Sequence, residues 1–390
     1  MHVLYVIDSL VPAGAERSLA ELAPRYSERG VTLDVAFLRE AAGLQDELLR
    51  AGARLYEISD RRVGGIRKLH SLIRERRPDL VHTTLFEADI SGRLAARISR
   101  VPVVSTLAND KYGADHLANP YLRPWKVRAT QVLDLATVRA VARLHAVSSF
   151  VANVMARRLH FPRNRIDVIH RGRDPQMLGR RNPRRRARAR AELGIASDTP
   201  VLLAVARQDQ HKGLDGLLQA LPLVGSEADN LRLLVAGRDG SQTSALNQLV
   251  RRLGLEEAVT FLGVRSDVPE LLSAADVFVL PSHREGFPGS VLEAMALELP
   301  IVVSDLPQVR EVVDESCALL VPPGSPAALA AAVKAISSDP GAAAARAGRA
   351  RARFEQHFTV DHVADEMLSF YERALSSSGR PRRAMSRAGR

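Results

Sequence analysis

Val277-Phe278-Val279-Leu280-Pro281-Ser282-His283-Arg284-Glu285-Gly286-Phe287-Pro288-Gly289-Ser290-Val291-Leu292-Glu293-Ala294-Met295-Ala296 is the stretch on which the fold turns. It opens as a strand, passes through a glycine-bearing loop and ends as the start of a helix. A strand feeding a helix through a short loop is the repeating unit of a parallel, doubly wound sheet. Gly286 and Gly289 let a ligand approach the backbone closely. The free N–H groups at a helix start suit a diphosphate. Glu285 sits in the loop and Glu293 about one turn into the helix, on the same side of the loop mouth, with seven residues between them. A carboxylate is a poor neighbour for phosphate and a good acceptor for sugar hydroxyls. The pair is thus placed to hold hydroxyls on either side of a diphosphate. Read without a ligand, the same residues are an ordinary helix with solvated glutamates.

The alternation extends outward in both directions. The second half carries strands at Val201–Ala206, Arg232–Ala236, Val259–Leu262, Val277–Leu280, Ile301–Val303 and Ala318–Val321, with helices in the gaps. The first half carries strands at Val3–Asp8, Leu33–Leu38, Arg54–Ile58, Leu80–Thr83, Val101–Thr106, His145–Val147 and Ile166–Ile169. Helices are expected over Ala15–Arg29, Gly65–Arg76 and Glu87–Ser99. The expectation is α/β, with two doubly wound parallel-sheet (Rossmann-like) domains facing a cleft. Ligands of such sheets bind beyond the carboxyl ends of the strands, so chemistry belongs in the loops that follow them. Residues 1–175 form the first domain, 176–199 an arginine-rich linker and 200–356 the second. Residues 357–375 form a helix crossing back to the first domain, and 376–390 a disordered basic tail rich in Ser, Gly and Arg.

Composition narrows the function. A length of 390 residues favours two domains, each able to bury a core. A single cysteine, Cys317, rules out a disulfide within the chain and fits a reducing compartment. No apolar run approaches the ~20 residues a bilayer needs. Met1–Ile7 lacks a basic start and meets Asp8 at once, so it reads as a strand and not a signal peptide. The expectation is a cytoplasmic protein, soluble or peripheral on the inner face of the membrane. The net charge of +11 points to anionic partners. Arg180, Arg181, Arg184, Arg185, Arg186, Arg188 and Arg190 crowd one stretch, and Arg380, Arg382, Arg383, Arg387 and Arg390 load the tail. No aromatic residue lies between Arg180 and Arg190, where a single-strand nucleic-acid site would want stacking platforms. Two readings of this run stand: a solvated helix, or docking to an anionic membrane that carries a lipid-linked acceptor. A G-x-G-x-x-G is absent after the first strand, which disfavours a nicotinamide enzyme. No D-x-D and no His/Cys cluster with metal spacing stands in the sequence, so no metal site is expected.

The Glu285–Glu293 segment resembles the E-x7-E motif of glycosyltransferase family 4, the group 1 transferases, which are retaining enzymes with the GT-B fold. Glu285-Gly286-Phe287 and Glu293-Ala294-Met295-Ala296 match it, as does Leu299-Pro300-Ile301-Val302-Val303-Ser304 after it. The resemblance implies that Glu285 contacts the donor sugar and Glu293 the ribose, with Gly286, Phe287, Gly289, Ser290 and Val291 lining the donor. Ala206-Arg207-Gln208-Asp209-Gln210-His211-Lys212-Gly213 resembles the family's G-R-L-x-x-x-K-G segment, with Ala206 in place of its glycine. Arg207 and Lys212 would neutralise a diphosphate leaving group. Phe261-Leu262-Gly263-Val264-Arg265 resembles the F-x-G segment, which assigns the backbone of Val264 and Arg265 to the base. Gly237 either approaches the nucleotide or turns the chain.

The first half resembles the family more thinly. Pro12-Ala13-Gly14-Ala15-Glu16-Arg17 resembles its G-G-x-E-R loop, with Gly14 expected to face the diphosphate. Glu16 and Arg17 are either part of that loop's function or a solvated helix pair. In Ser105-Thr106-Leu107-Ala108-Asn109-Asp110, Ala108 stands where the family often has histidine. Asn109 and Asp110 are the candidates for the catalytic role left vacant, with His82, His116 and His145 as further candidates. Val168-Ile169-His170-Arg171-Gly172-Arg173-Asp174 resembles the V-I-x-N-G-x-D junction segment, with Arg171 in place of asparagine. The implied function is transfer of a sugar from a nucleoside diphosphate sugar (UDP or GDP) to a glycan or lipid-linked acceptor, with no cofactor, no metal and no nucleic acid. The product would belong to a cell-surface polysaccharide, lipopolysaccharide or glycolipid. The alternatives are a GT-B-like epimerase or phosphorylase, and a basic nucleic-acid-binding protein without catalysis.

Overall fold

The structure, a computed structural model, describes residues 1–39, 43–58, 63–113, 123–228 and 230–377. His116 and the basic tail lie outside the described residues. The chain divides into two compact units, one of Met1–Gly172 together with the chain from Val360, the other of Arg173–Thr359. Residues 176–199 therefore lie inside the second unit, and the helix Val360–Ser377 belongs to the first.

The first unit is built on seven strands: β1 (His2–Ile7), β2 (Thr32–Phe37), β3 (Arg54–Glu57), β4 (Leu80–Thr84), β5 (Val103–Leu107), β6 (Arg143–Ala146) and β7 (Ile166–Val168). They form one sheet in the order β3-β2-β1-β4-β5-β6-β7, every pairing parallel. β1 is central and flanked by helices on both faces, so Val3, Leu4, Val6 and Ile7 are wholly buried. Continuous apolar runs of this kind mark strands covered on both sides, and each such side chain contributes ~2 kcal/mol by leaving water. The helices Gly14–Glu28 and Val360–Ser377 pack on this core through Leu19, Tyr26, Met367, Phe370 and Tyr371.

The second unit repeats the plan with β8 (Val201–Val205), β9 (Arg232–Ala236), β10 (Val259–Gly263), β11 (Val277–Leu280), β12 (Ile301–Ser304) and β13 (Leu319–Val321). Their order is β10-β9-β8-β11-β12-β13, again all parallel. In both sheets the strand order reverses beside the first strand, between β1 and β4 and between β8 and β11. Chains leaving these pairs diverge to opposite faces and open a crevice at the strands' carboxyl ends.

The arginine run differs from a solvated helix. Asn182 caps the helix Pro183–Glu192, its Oδ1 accepting from the Arg185 N–H at 2.9 Å. That helix packs on the helix Val268–Ala274. Arg185 holds Glu270 at 3.0 Å, and Arg186 and Arg190 hold Asp276 at 2.9 and 2.7 Å. The Arg190 guanidinium, only 2% exposed, also donates to the carbonyls of Ala274, Ala196, Ser197 and Thr199. Arg180, Arg184 and Arg188 are the exposed members. Glu270 and Asp276 follow the run by some eighty residues, which hid the pairing from a local reading.

Candidate functional site

The crevice between β8 and β11 collects the charged residues of the second unit. After β8 the chain runs through Arg207 and a short turn at Gln210–Lys212, then enters the helix Leu214–Ala220. Gly213 makes that entry with φ +63°, and a Cβ there would run into the Pro281 carbonyl. The two loops also share a backbone bond, His283 N–H to His211 O at 2.9 Å. The glycine thus lets the loop after β8 lie against the loop after β11. Lys212 and Glu285 meet as a consequence, Nζ to Oε1 at 2.6 Å. The Ser282 hydroxyl donates to the same oxygen at 2.7 Å, and Gln308 Nε2 donates to the Glu285 backbone carbonyl at 2.7 Å.

Electrostatics follow from that geometry. Burial by itself would raise the Glu285 carboxyl, but Lys212 and the Ser282 hydroxyl outweigh it and hold the group below the usual glutamate range. Burial, reinforced by Lys212, pushes His211 down to about 4, so its ring is neutral near pH 7. Lys212, Glu285, Arg284 and Arg207 all act on His211, which places these four charges around one point. Arg207 is 44% exposed and pairs with Asp209 at 2.8 Å. In the loop after β11, Arg284 Nη1 is buried without a hydrogen-bond partner among the described residues.

Glu293 lies in the helix Gly289–Ala296 and is also engaged, accepting from Arg173 Nε at 2.7 Å. A Cβ on Gly289 would collide with the same guanidinium. Phe287 and Val291 are buried in the core, so only their backbone can face a ligand. Gly286 and Ser290 are half-buried at the helix entrance. Val264 is 71% exposed, and Arg265 forms a bidentate pair with Asp267. Gly237 has a structural reason: a Cβ there would strike the Ala206 carbonyl, and its N–H bonds Gly263 O at 2.8 Å. The sequence reading missed Arg173, Ser282 and Gln308 as members of this constellation. Arg173 stood in the junction segment, and nothing local tied it to a glutamate 120 residues away.

The first unit arranges its candidates differently. Gly14 opens the helix Gly14–Glu28, and a Cβ on it would run into the Arg171 guanidinium. Asn109 is exposed, whereas Asp110 accepts from Arg158 Nη2 at 3.0 Å and from the Tyr112 N–H at 3.2 Å, which fixes its loop. His82 and His145 belong to a buried chain of neutral groups. Burial, with the neighbouring ring, holds His82 well below the ordinary histidine value, and burial sets His145 at about 4. His145 Nε2 lies 2.8 Å from the Ile169 carbonyl, which can only accept. Its Nδ1 therefore accepts from the Thr106 hydroxyl at 3.0 Å. Thr106 in turn accepts from His82 Nε2, and His82 Nδ1 from the Tyr371 hydroxyl, both at 2.7 Å. One backbone carbonyl thus fixes both tautomers. A cavity of about 40 Å³ adjoins these groups, room for a few waters. Among the described residues, no group of three His, Cys, Asp or Glu side chains is placed to hold a metal ion, and no helix is long and apolar enough to cross a membrane.

Comparison with known proteins gives a consistent set of relatives. The family model described as "Glycosyl transferases group 1" matches residues 185–353, and that described as "Glycosyltransferase Family 4" matches residues 12–177. D-inositol 3-phosphate glycosyltransferase of Kineococcus radiotolerans is 30% identical across 94% of this chain and 92% of its own. Among solved structures, Anabaena HepE in complex with UDP-glucose superposes with a TM-score of 0.83 at 24% identity, over 95% of this chain and 99% of that one. WaaG, a glycosyltransferase involved in lipopolysaccharide biosynthesis, superposes with a TM-score of 0.75 at 19% identity, over 94% and 98%. At these identities the structures show the fold, GT-B.

Proposed function

Because the chain belongs to the group 1, family 4 glycosyltransferases, we propose that it moves a sugar from a nucleoside diphosphate sugar, UDP- or GDP-linked, to a hydroxyl with retention of the anomeric configuration. The observation that supports this most is the Lys212–Glu285 pair where β8 and β11 diverge. In the proposed step the bond from the anomeric carbon to the β-phosphate oxygen breaks. The acceptor oxygen bonds to that carbon on the same face, and its proton passes to the leaving phosphate. Lys212 and Arg207 offset the charge that develops on the diphosphate, a role fixed cations can fill without a metal. Glu285 holds the donor sugar's hydroxyls and Glu293 the ribose. The helix start at Gly289 and Ser290 presents N–H groups to the phosphates, with Gly286, Phe287 and Val291 lining the donor, and the backbone at Val264 and Arg265 faces the base. The acceptor falls to the first unit, with Gly14, Asn109 and Asp110 as its candidate residues.

Thermal-shift measurements with UDP-, GDP- and ADP-sugars in the presence of a chelator test this reading. Stabilisation of several degrees by one nucleotide class is expected, together with loss of transfer in Glu285→Ala. No stabilisation by any of them, or full transfer by Glu285→Ala, counts against it.

The acceptor is proposed to be a glycan or lipid-linked hydroxyl of a cell-surface polysaccharide, lipopolysaccharide or glycolipid, met at the inner face of the membrane by a cytoplasmic enzyme. The supporting observation is the exposed set Arg180, Arg184 and Arg188, since each cation near an anionic surface contributes ~1 kcal/mol. Replacing all three with glutamine should weaken sedimentation with anionic vesicles at low salt by at least about tenfold. Undiminished binding would remove the membrane role.

A further inference from the structure

Arg173 is the first residue of the second unit, and its backbone is pinned to that unit's last residues. Its N–H donates to Phe358 O at 2.9 Å, and it forms an isolated parallel bridge with Thr359. With the main chain fixed, the side chain runs inward and is 6% exposed. Its Nε donates to Glu293 Oε1 at 2.7 Å. The guanidinium occupies the space that a side chain on Gly289 would need. Gly289 begins the helix that carries Glu293, so the arginine crosses the start of that helix and grips a carboxylate one turn further in.

We infer that Arg173 is a positioning residue: it fixes the Glu293 carboxylate for the ribose and so sets the enzyme's preference for ribonucleotide over 2′-deoxyribonucleotide donors. The inference rests on the reading of Glu293 as the ribose contact. A glutamate side chain has three rotatable bonds, and ordering them on binding costs affinity. A charge-assisted hydrogen bond at 2.7 Å removes much of that freedom beforehand. It engages Oε1 along one direction and leaves Oε2 to accept from a ribose hydroxyl. The guanidinium also neutralises a carboxylate that would otherwise repel a nearby diphosphate. An arginine suits both tasks better than a lysine because its rigid guanidinium directs one Nε–H at Oε1 in a fixed geometry.

The test uses the intact chain and whichever of UDP or GDP it binds more tightly, with the matching 2′-deoxy nucleoside diphosphate, measured by calorimetry. The native protein should favour the ribonucleotide by about tenfold, the scale of one hydrogen bond to a charged group. R173M should lower that ratio to about twofold, E293Q should do the same, and the double variant should fall no further, since both act through one contact. R173K should retain an intermediate ratio. G289A gives a second route if R173M folds poorly: its added methyl displaces the guanidinium while leaving both charges in the chain, and it too should lower the ratio. The inference is overturned if R173M and G289A weaken both nucleotides equally and keep the ratio, which would make Arg173 a structural or phosphate contact. A native protein that binds the two forms equally would overturn the Glu293 assignment along with it. One that binds neither nucleotide would sink the proposed function itself.

Discussion

Glu285 and Asp8 both follow strands at the reversal of strand order in their own sheets, on its two different sides, and their carboxyls move in opposite directions. Each follows a strand that flanks the reversal of strand order, Glu285 after β11 and Asp8 after β1. Burial raises both. At Glu285 the Lys212 ammonium and the Ser282 hydroxyl reverse the effect, and the group lies below the ordinary range. At Asp8 the Ala88 N–H and Arg39 pull down, but Asp89 and Glu87 push up, and the carboxyl settles at about 6. The neighbouring charges decide the outcome, since burial acts on both in the same direction. The second unit holds fixed charges suited to an anionic leaving group. The first unit holds an acid whose charge is marginal near neutrality and a relay of neutral rings, an environment suited to hydroxyls.

The largest test of this contrast is Lys212→Met. Without the ammonium, the Ser282 hydroxyl is left to oppose burial at Glu285, and one cation facing the proposed leaving group is gone. We expect kcat for transfer to fall by about 10²- to 10³-fold, the scale of losing one preorganised electrostatic contact, with donor KM changing less. A loss within threefold would show that the pair is an internal ion pair without a part in transfer, and the contrast between the units would lose its functional meaning.

The neutral relay of the first unit is tested by pH. His145 titrates near 6.5 when unfolded and at about 4 when folded. Between those values the unfolded chain binds the extra proton, so acidification favours unfolding; above pH 6.5 the group contributes no pH dependence. The loss between pH 6.5 and 4 is of the order of 3 kcal/mol. His145→Gln keeps a donor for the Ile169 carbonyl and an acceptor for Thr106 but cannot titrate. Urea midpoints at pH 7.5, 6 and 5 should therefore fall more steeply in the native chain than in the variant. Parallel slopes would mean that His145 is protonated when folded, and the directed chain of hydrogen bonds from Tyr371 to Ile169 would be wrong.

How legible these regions were in the sequence follows the range of the contacts. The strands were readable because buried parallel strands are written as local apolar runs, such as Val201–Val205. Glu285 and Lys212 were readable as motif residues, although their 2.6 Å contact spans 73 positions and could not be seen. Arg173, Gln308 and the partners of the arginine run were not readable, since each is defined by a carboxylate or carbonyl distant in sequence. Asp8 was read only as the residue that ends the first apolar run. Its displaced carboxyl depends on Glu87 and Asp89, which the fold brings beside it from the first turn of the helix after β4.

Asp8 provides the smallest and sharpest test. Its folded carboxyl, at about 6, lies above its unfolded value of 3.8. A group raised in this way favours the folded state fully below pH 3.8, and that contribution is lost as pH rises through 6. At pH 8 the ionised side chain thus costs stability, on the order of 1–2 kcal/mol after allowance for its contact with solvent. Asp8→Asn keeps an oxygen for the Ala88 N–H, which Asp8 Oδ1 accepts at 2.7 Å, and carries no charge. The variant should melt about 2–6 °C higher than the native chain at pH 8, with about a third of that difference left at pH 4.5. If Asp8→Asn melts lower at pH 8, the carboxylate is held ionised by a cation, with Arg39 the first suspect. The loop after β1 would then be a fixed-charge site like the one after β11, and the two units would differ in sequence alone.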